Sequence, residues 1–453
     1  MIVNATTKLF GQHRADLSVS PFAVLALSAA AGIAVAFAMA NSHVFVDLAG
    51  AAVTLVLLLF PEFVLAFYVV VGDVKGDDRV ASLLPFDWTI ALGAVLVAGI
   101  ILNVLRGRRI AKLPPAYFLL GAFTVWMAAS LVYTPVFDAG LEKLGRFVTV
   151  TGIVIVAPFF VLGTRAAMNR FLAAFGAAAF GICAYALLGL GSSDRLVSPS
   201  DNTIGLGHVA CALVMLIWFA AIPRDRWPLR IIFYALFAVP AVALIGSGSR
   251  GSAIACVLAI LLSLYFCRQR ITDLVLIGAG GLLAIPFLGI PQASLDYLAT
   301  LVKSGSVNAL LDFRSDLLGY GWELLQQHPL IGAGIDGFQY SSPNPNVYKW
   351  PHNVFLEVAC ELGIPALLLI VAFFGSALRE SWRQLRLSPS VCGTLPQLAG
   401  AWLLLGLVNA LNTGDINSDR TTWLFASIVF VIGTYTCSSD LRKVAEPAAS
   451  SLA

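Results

Sequence analysis

The sequence predicts an all-α protein, a polytopic bundle of about 12–14 transmembrane helices with one large loop on the outer face. The chain is 59% hydrophobic and only 12% charged, whereas soluble domains carry roughly 25% charged residues. Apolar runs recur along it at the length of roughly 20 residues that a helix needs to cross a bilayer. Such a chain has too little polar surface to cover a water-exposed globule, so lipid is its expected solvent.

The apolar runs define the candidate spans. The first, 21–40, follows Lys8 and Arg14 and is long for a signal-peptide core, which predicts a retained span. The runs 44–60 and 62–73 are the weakest; Pro61 separates them, and they form either two spans or a short hairpin. The remaining candidates are 86–105, 115–133, 147–163, 171–190, 203–222, 230–247, 251–266, 272–290, 353–376, 395–411 and 421–437.

Basic residues orient the bundle, because cytoplasmic loops are enriched in Lys and Arg. With the N-terminus inside and the spans alternating, most of the 28 Lys and Arg fall on the inner side, including the clusters 106–112 and 379–386. Reading 44–73 as a single span would move the first of these clusters outside. The pattern predicts a multi-pass protein of the bacterial inner membrane with both termini in the cytoplasm.

The predicted organisation has three parts: an N-terminal transmembrane bundle over 1–290, a periplasmic loop with short helices over 291–352, and C-terminal transmembrane helices with a cytoplasmic tail over 353–453. The loop shows helical spacing in Leu310–Leu325 and then a Gly-rich turn. Long loops in compact proteins are usually functional or disordered. Its aromatic, patterned composition favours a folded functional cap.

Several function classes find no support in the sequence. The chain contains no Walker, GxGxxG, HExxH or GxSxG motif and no metal-ligand spacing. Its seven cysteines form no CxxC pair and sit mostly in apolar runs, which favours buried small side chains. The small net charge of +3 gives no reason to expect nucleic acid. We therefore predict no cofactor and no metal, with the energy residing in the substrate or in an ion gradient.

Two arginines are candidate catalytic residues. Arg250 lies between two apolar runs among Gly and Ser in IGSGSRGSAIACVLAILL, where a charge is costly unless it faces protein or water. Its guanidinium could grip phosphate oxygens in a bidentate manner or extend to the lipid headgroups. Arg314, in the outer loop, is flanked by Asp312 and Asp316, so a local ion pair is the alternative to a functional role.

His352 is the third candidate. Pro351 precedes it at the start of a span, which predicts that His352 lies in the first helical turn. The positive end of the helix should hold its ring neutral near neutral pH, and a neutral imidazole at the membrane boundary suits a general base. The alternative is a histidine that only caps the helix.

Other polar residues on the outer side are candidates for substrate binding. Glu357 and Glu361 share a helix face, and paired carboxylates of this kind could bind a cation or relay protons in a transporter. We interpret Glu357 as lying near the headgroups and Glu361 as a residue that orients another group. Individually the remaining charges resemble solvated loop charges, but together they form a cationic outer face suited to an anionic substrate: Lys143, Arg146, Arg195, His208, Asp415, Asp419 and Arg420.

QQHPLIGAGIDGFQY followed by PHNVFLEVACELGIPALLL resembles the signature region of the O-antigen ligase and O-antigen polymerase superfamily. GSRGSAIACVLAILL, SLVYTPVFDAGLEKLGRF and NTGDINSDRTTWLF are similar to further segments of that family, over roughly residues 120–435. The resemblance implies a metal-independent glycosyltransferase of the GT-C type that acts at the periplasmic face on a glycan linked to undecaprenyl diphosphate. It also implies that Arg250 and Arg314 hold the diphosphate and that His352, beside Asn353, is the base.

The function predicted from these residues is inverting transfer of a glycan from an undecaprenyl-diphosphate donor to a sugar hydroxyl. The acceptor is the lipid A-core for a ligase and a growing glycan for a polymerase, and the breadth of the resemblance slightly favours a polymerase. Arg146, Arg195, His208, Asn353, Glu361 and Arg420 are the predicted substrate-binding residues. The alternatives are a secondary transporter or lipid-linked glycan flippase, and a membrane scaffold. A transporter is disfavoured because the sequence shows no internal repeat.

Overall fold

The computed structural model describes residues 57–82, 87–188, 195–219, 227–266, 271–272, 274–275, 308–342, 349–387, 395–412 and 414–450. These residues form helices and connecting turns. The helices are α1 (Pro61–Val70), α2 (Asp78–Ala81), α3 (Trp88–Leu105), α4 (Tyr117–Ala129), α5 (Phe137–Arg146), α6 (Gly152–Val161), α7 (Arg165–Leu187), α8 (Thr203–Phe219), α9 (Trp227–Ser247), α10 (Arg250–Phe266), α11 (Asn308–Gln327), α12 (Gly337–Ser341), α13 (Val354–Leu387), α14 (Leu395–Ala410) and α15 (Arg420–Ser450).

In the described part of the chain, four helical stretches are long and apolar enough to cross a membrane: α3, α7, α13 and Phe137–Val161, in which one π-helical turn joins α5 to α6. Shorter apolar helices, including α8 and α14, pack among them. The predicted all-α membrane bundle is confirmed. The number of spans and the three-part division stay predictions, and the candidate span 21–40 lies outside the described residues.

Side-chain caps begin several helices where the sequence offers a suitable residue. Asp87 accepts a hydrogen bond from the Thr89 amide at the start of α3 (2.6 Å), and Thr164 accepts from the Ala167 amide at the start of α7 (3.2 Å). Each cap satisfies a backbone donor that has no partner within the helix. Inside a bilayer these bonds matter more, because lipid offers no replacement.

Small residues and aromatic rings hold the helices together. A Cβ on Gly406 of α14 would lie 2.8 Å from the Thr422 Cα of α15, so the two backbones approach closely only because position 406 has no side chain. Trp402 stacks on Phe425 with ring centroids 4.9 Å apart and donates its indole N–H to the Ala212 carbonyl of α8 (2.9 Å). These contacts fix α8, α14 and α15 side by side, and those helices wall the cavity described below.

A kink at Gly363 divides α13. Gly363 has φ 81° and ψ 173°, a conformation essentially restricted to glycine. The kink leaves the Cys360 and Glu361 carbonyls to accept hydrogen bonds from the Ala333 and Gly334 amides of the Gly-rich turn (both 2.9 Å). The Gly-rich turn of the predicted loop therefore docks on the kinked helix through its backbone. The helical spacing predicted in Leu310–Leu325 is confirmed as α11.

Replacing Gly363 by alanine is expected to destabilise the protein by about 1–3 kcal/mol or more, because the backbone conformation is strained for any other residue. An added Cβ would also lie 2.3 Å from the Leu330 carbonyl oxygen. Gly375→Ala in the same helix is the matched control, since a Cβ there meets no atom within 4 Å. Thermal unfolding of both purified variants in detergent checks this, and equal melting temperatures would contradict it.

Candidate functional site

A cavity of about 360 Å³ opens at one end of the bundle. Helices α1, α7, α8, α14 and α15 form its walls, and the turns that adjoin them close its sides. Its lining includes apolar side chains: Val69, Val70, Phe175, Val209, Ala212, Leu405 and Phe425. It also includes polar and charged side chains: Asp73, Asn202, His208, Trp350, His352, Asn409, Ser418, Asp419, Arg420 and Thr421. Such a lining suits an amphipathic ligand with an anionic head.

His352 reaches this cavity from the turn before α13. The prediction that it lies in the first helical turn is wrong: α13 begins at Val354, and His352 has a left-handed φ of 53°. Asn353 is the residue that caps the helix, since its Oδ1 accepts a hydrogen bond from the Leu356 amide (3.0 Å). Left-handed backbone at a non-glycine residue is uncommon and is concentrated at functional sites.

The indole of Trp350 selects the tautomer of His352. Trp350 Nε1 donates a hydrogen bond to His352 Nδ1 (3.2 Å), and an indole nitrogen can act only as a donor. Nδ1 must therefore carry a lone pair, so the neutral ring holds its proton on Nε2. In this tautomer Nε2 is a hydrogen-bond donor, whereas a general base would need a lone pair there.

Arg420 and His208 line the same cavity from different helices. Arg420 is the first residue of α15, and its Nε donates to the Asn417 carbonyl (3.4 Å). His208 lies in α8, one turn from Gly205. The structure therefore brings three of the predicted residues together: His352, His208 and Arg420.

Two carboxylates also line the cavity. Asp419 precedes the first residue of α15, and its Oδ2 accepts a hydrogen bond from Thr422 Oγ1 (2.8 Å). Asp73 follows α1 in a short 3₁₀ turn and lies against Gly205, where an added Cβ would fall 1.8 Å from Asp73 Oδ1. Burial raises the pKa of each carboxyl to about 7, and for Asp73 the charge of Arg420 opposes that increase.

A buried ion cluster lies beside the cavity. Lys143 Nζ is 2.7 Å from Glu357 Oε1 and 2.8 Å from Glu361 Oε2, and it lies 3.7 Å from Asp336 Oδ1. Glu357, interpreted from the sequence as lying near the headgroups, is enclosed by protein, with an exposed fraction of 1%. Lys143, expected to be a solvated loop charge, is 9% exposed.

Backbone donors complete the coordination of these carboxylates. Glu357 Oε2 accepts from the Ile416 amide (2.9 Å), and Glu361 Oε2 accepts from the Asp336 amide (3.0 Å). The cluster thereby joins α5, the Gly-rich turn, α13 and the loop before α15. This places Glu361 in a connecting role next to the cavity and not on its lining.

The remaining predicted residues lie elsewhere. Arg195 donates from Nε to the Ser247 carbonyl (3.0 Å), which satisfies the C-terminal end of α9. Arg250 is the first residue of α10. A Cβ on the neighbouring Gly251 would lie 3.9 Å from Oδ1 of Asn409, a residue that lines the cavity. Arg314 belongs to α11, but its side chain lies outside the described residues. The predicted convergence of Arg250 and Arg314 stays a prediction.

Arg146 lines a second, polar cavity of about 250 Å³ that shares Trp350 with the first. It forms an ion pair with Glu142, one helical turn away, and more than half of its side chain is exposed. Lys349 and Lys143 contribute the other positive charges there, and Glu142, Asp336 and Asp415 the negative ones. Mixed charge on an open surface is compatible with a sugar as well as with solvent.

Sequence reasoning missed Asp73, Trp350 and the burial of Lys143. Asp73 sits at the end of one of the weakest candidate spans, where a single acidic residue is an ordinary boundary. Trp350 stands two residues before His352, and this closeness in the sequence is the feature that could have identified it as a site residue. Lys143 gave a weaker one, since it shares the face of α5 that carries Gly140, three residues earlier.

The fold and the cavity define a class, a multi-pass α-helical membrane protein with a half-polar site at one end of its bundle. Residues 235–371 match the family model described as O-antigen ligase. Over 104 residues the chain is 34% identical to an O-antigen ligase of Pseudomonas aeruginosa (strain PAO1), a match that covers 23% of this chain and 24% of that relative. The chain thus spans about a quarter of the relative's length.

These comparisons confirm the predicted resemblance to the O-antigen ligase and polymerase superfamily. The matched segment contains Arg250, Arg314, His352, Asn353 and Glu361. Cavity residues before and after it, such as Asp73 and Arg420, are assigned by the geometry alone.

Proposed function

We propose that this protein is a membrane glycosyltransferase that moves a glycan from an undecaprenyl-diphosphate donor to an acceptor sugar hydroxyl. The observation that carries the proposal is the cavity, whose lining combines Arg420, His208 and His352 with apolar side chains. Guanidinium and imidazole donors suit diphosphate oxygens, and the apolar side chains suit the first units of a polyprenyl chain. The resemblance to O-antigen ligases over residues 235–371 supports the same substrate class.

The site is proposed to face the periplasm. Helix α13 begins beside the cavity and carries Arg379, Arg383 and Arg386 near its far end. Helix α15 likewise begins at the cavity with Arg420 and continues to Arg442 and Lys443. Because basic residues concentrate on the cytoplasmic side, this polarity supports an extracytoplasmic cavity and a cytoplasmic C-terminus.

The proposed reaction is a single displacement at the anomeric carbon. The acceptor oxygen attacks the face opposite the diphosphate, which inverts the configuration. Arg420, with Arg250 and Arg314 as further candidates, stabilises the negative charge that develops on the leaving diphosphate. His352 donates to the same oxygens through Nε2–H. The bond to the diphosphate supplies the free energy, and cationic side chains neutralise the charge without a metal.

Two acceptors are compatible with the cavity. The lipid A-core would make the protein a ligase, and a growing glycan would make it a polymerase. The matching family model and the relative from Pseudomonas aeruginosa are both described as O-antigen ligases, which supports the lipid A-core. The second, polar cavity beside Trp350 provides space for acceptor sugars.

A transporter is the weaker alternative. Its strongest support was the pair Glu357 and Glu361, which could bind a cation or relay protons. Both carboxylates instead hold the ammonium of Lys143 at 2.7 and 2.8 Å. The cation that this pair binds is therefore part of the protein.

The proposal is tested by transfer in vitro. The purified chain in lipid nanodiscs receives a radiolabelled glycan on undecaprenyl diphosphate together with either lipid A-core or free oligosaccharide repeats. We expect label on the lipid A-core for a ligase, or on longer oligosaccharides for a polymerase. No transfer to either acceptor, together with uptake of the donor across proteoliposome membranes, would establish the alternative.

A further inference from the structure

We propose that Asp73 is the catalytic base that removes the proton from the acceptor hydroxyl, an inference that rests on the proposed function. The assignment begins with His352. Because Trp350 donates to His352 Nδ1 at 3.2 Å, the neutral ring carries a proton on Nε2 and has no lone pair to offer there. Another group in the cavity has to accept the proton.

The cavity provides two carboxylates, and their surroundings separate them. Asp419 is held at the start of α15, where its Oδ2 accepts from Thr422 Oγ1 at 2.8 Å. Its Oδ1 has no hydrogen-bond partner among the described residues but is buried, and only 6% of the residue is exposed, whereas Asp73 is partly exposed. Asp73 has no comparable bond: in the described part of the chain, its backbone carbonyl accepts from the Ser200 amide (3.1 Å), while none of the hydrogen bonds ends on its carboxylate. Its oxygens therefore retain the lone pairs that a general base needs.

The surrounding structure leaves room for this carboxylate. It lies directly over Gly205 of α8, and a side chain at that position would occupy the same space, 1.8 Å from Oδ1. Asp73 and His352 approach the cavity from different segments, the turn after α1 and the turn before α13. A sugar between them could receive a hydrogen bond on the leaving side and lose a proton on the attacking side.

Several charged or titratable groups surround Asp73. The charge of Arg420 acts on it, and Arg420, His208, His352 and Asp419 line the same cavity. Cys183 of α7 is near enough for the charge of Asp73 to act on it, and Lys75, paired with Asp87, follows Asp73 in the chain. Burial is the largest influence on Asp73 and raises its pKa to about 7. A carboxylate with this pKa suits proton transfer near neutral pH.

In the proposed step, the acceptor O–H bond breaks and its proton passes to Asp73. The acceptor oxygen forms a bond to the anomeric carbon while the bond from that carbon to the diphosphate oxygen breaks, and its electron pair leaves with the diphosphate. Asp73 then releases the proton to water through the cavity opening.

Asp73→Asn tests the assignment in purified full-length protein with the donor and acceptor used above. We expect transfer to fall by about 10²- to 10⁴-fold, the usual contribution of a general base, while tryptophan quenching by undecaprenyl diphosphate stays within threefold of wild type. Asp78→Asn, the same change at an exposed residue five positions later, is the matched control and should transfer normally. Asp73→Glu restores a carboxylate and should recover part of the rate.

The pH profile gives a second, independent measurement. For wild type, kcat/KM should fall about tenfold per pH unit below about 7, because a protonated Asp73 cannot accept a proton. The residual rate of Asp73→Asn should lack this limb, whereas Asp419→Asn should keep it. If Asp73→Asn fails to fold, the wild-type limb and Asp73→Glu still test the assignment.

Distinct results overturn the two proposals. Wild-type protein that transfers no glycan contradicts the proposed function. Active wild-type protein with an Asp73→Asn variant above one third of its rate contradicts only the role of Asp73. Loss of undecaprenyl-diphosphate binding by Asp73→Asn, or a wild-type profile that is flat between about pH 5 and 8, also removes Asp73 as the base.

Discussion

His352→Ala is expected to lower the rate of glycan transfer by about 10²- to 10³-fold, the loss seen when one donor to a developing negative charge is removed. His352 lines the cavity, and Trp350 donates to its Nδ1, so the neutral ring carries its proton on Nε2. The loss should appear in kcat more than in KM, because the charge on the diphosphate grows only in the transition state. Radiolabelled transfer assays at saturating acceptor measure it.

His352→Gln separates a donor from a base. The glutamine amide can donate a hydrogen bond but cannot take up a proton at neutral pH, so we expect it to retain activity within about tenfold of wild type and to keep the pH limb assigned to Asp73. His328→Gln is the matched control, since His328 is exposed at the end of α11. A His352→Gln variant as inactive as His352→Ala would instead make His352 the general base.

Lys143→Met is expected to destabilise the fold by about 3–5 kcal/mol, the usual effect of removing one partner from a buried ion pair. The change would leave Glu357 and Glu361 facing each other with exposed fractions of 1% and 3% and no compensating positive charge. Because the cluster also ties the Gly-rich turn and the loop before α15 to α13, its loss should disturb both cavities. Denaturant titration of the detergent-solubilised protein measures the free energy of unfolding.

Lys75→Met provides the comparison. Lys75 pairs with Asp87, but about a third of each side chain or more is exposed, so the loss should not exceed about 1 kcal/mol. Adding Glu357→Gln and Glu361→Gln to Lys143→Met should restore part of the stability, because the unpaired charges are removed. A Lys143→Met variant as stable as Lys75→Met would show that the cluster does not stabilise the fold.

The motif that suggested the family also has a structural explanation. Gly332 and Gly334 of IGAGIDGF have positive φ values and pack where a Cβ would meet the backbone of Glu361 or Thr134. The turn then supplies the amides that bond to the kinked part of α13. The pattern in the sequence predicted a Gly-rich turn after a helix, but it did not show that the turn docks on the kinked part of α13, which lies further along the chain.

Some of the predicted site residues share one cavity and others do not, for a similar reason. His352, His208 and Arg420 were predicted from their position on the outer side, and they share one cavity because α8, α13 and α15 begin at the same end of the bundle. Arg195 was predicted by the same reasoning, yet it bonds to the end of α9. Hydropathy assigns a residue to a side of the membrane, whereas the packing of helices decides its neighbours.

By itself, the sequence determined the solvent of this protein, the helical class of its fold and the resemblance to the O-antigen ligases. These follow from local properties: apolar runs long enough to span lipid, charges between them and a motif within one segment. The tertiary structure alone decided that Lys143 meets Glu361, 218 residues away, that Asp73 faces Arg420, and that Trp350 orients His352. These three contacts depend on how helices distant in sequence pack or on the backbone of a turn. The period and charge of a single segment encode neither the packing nor the turn.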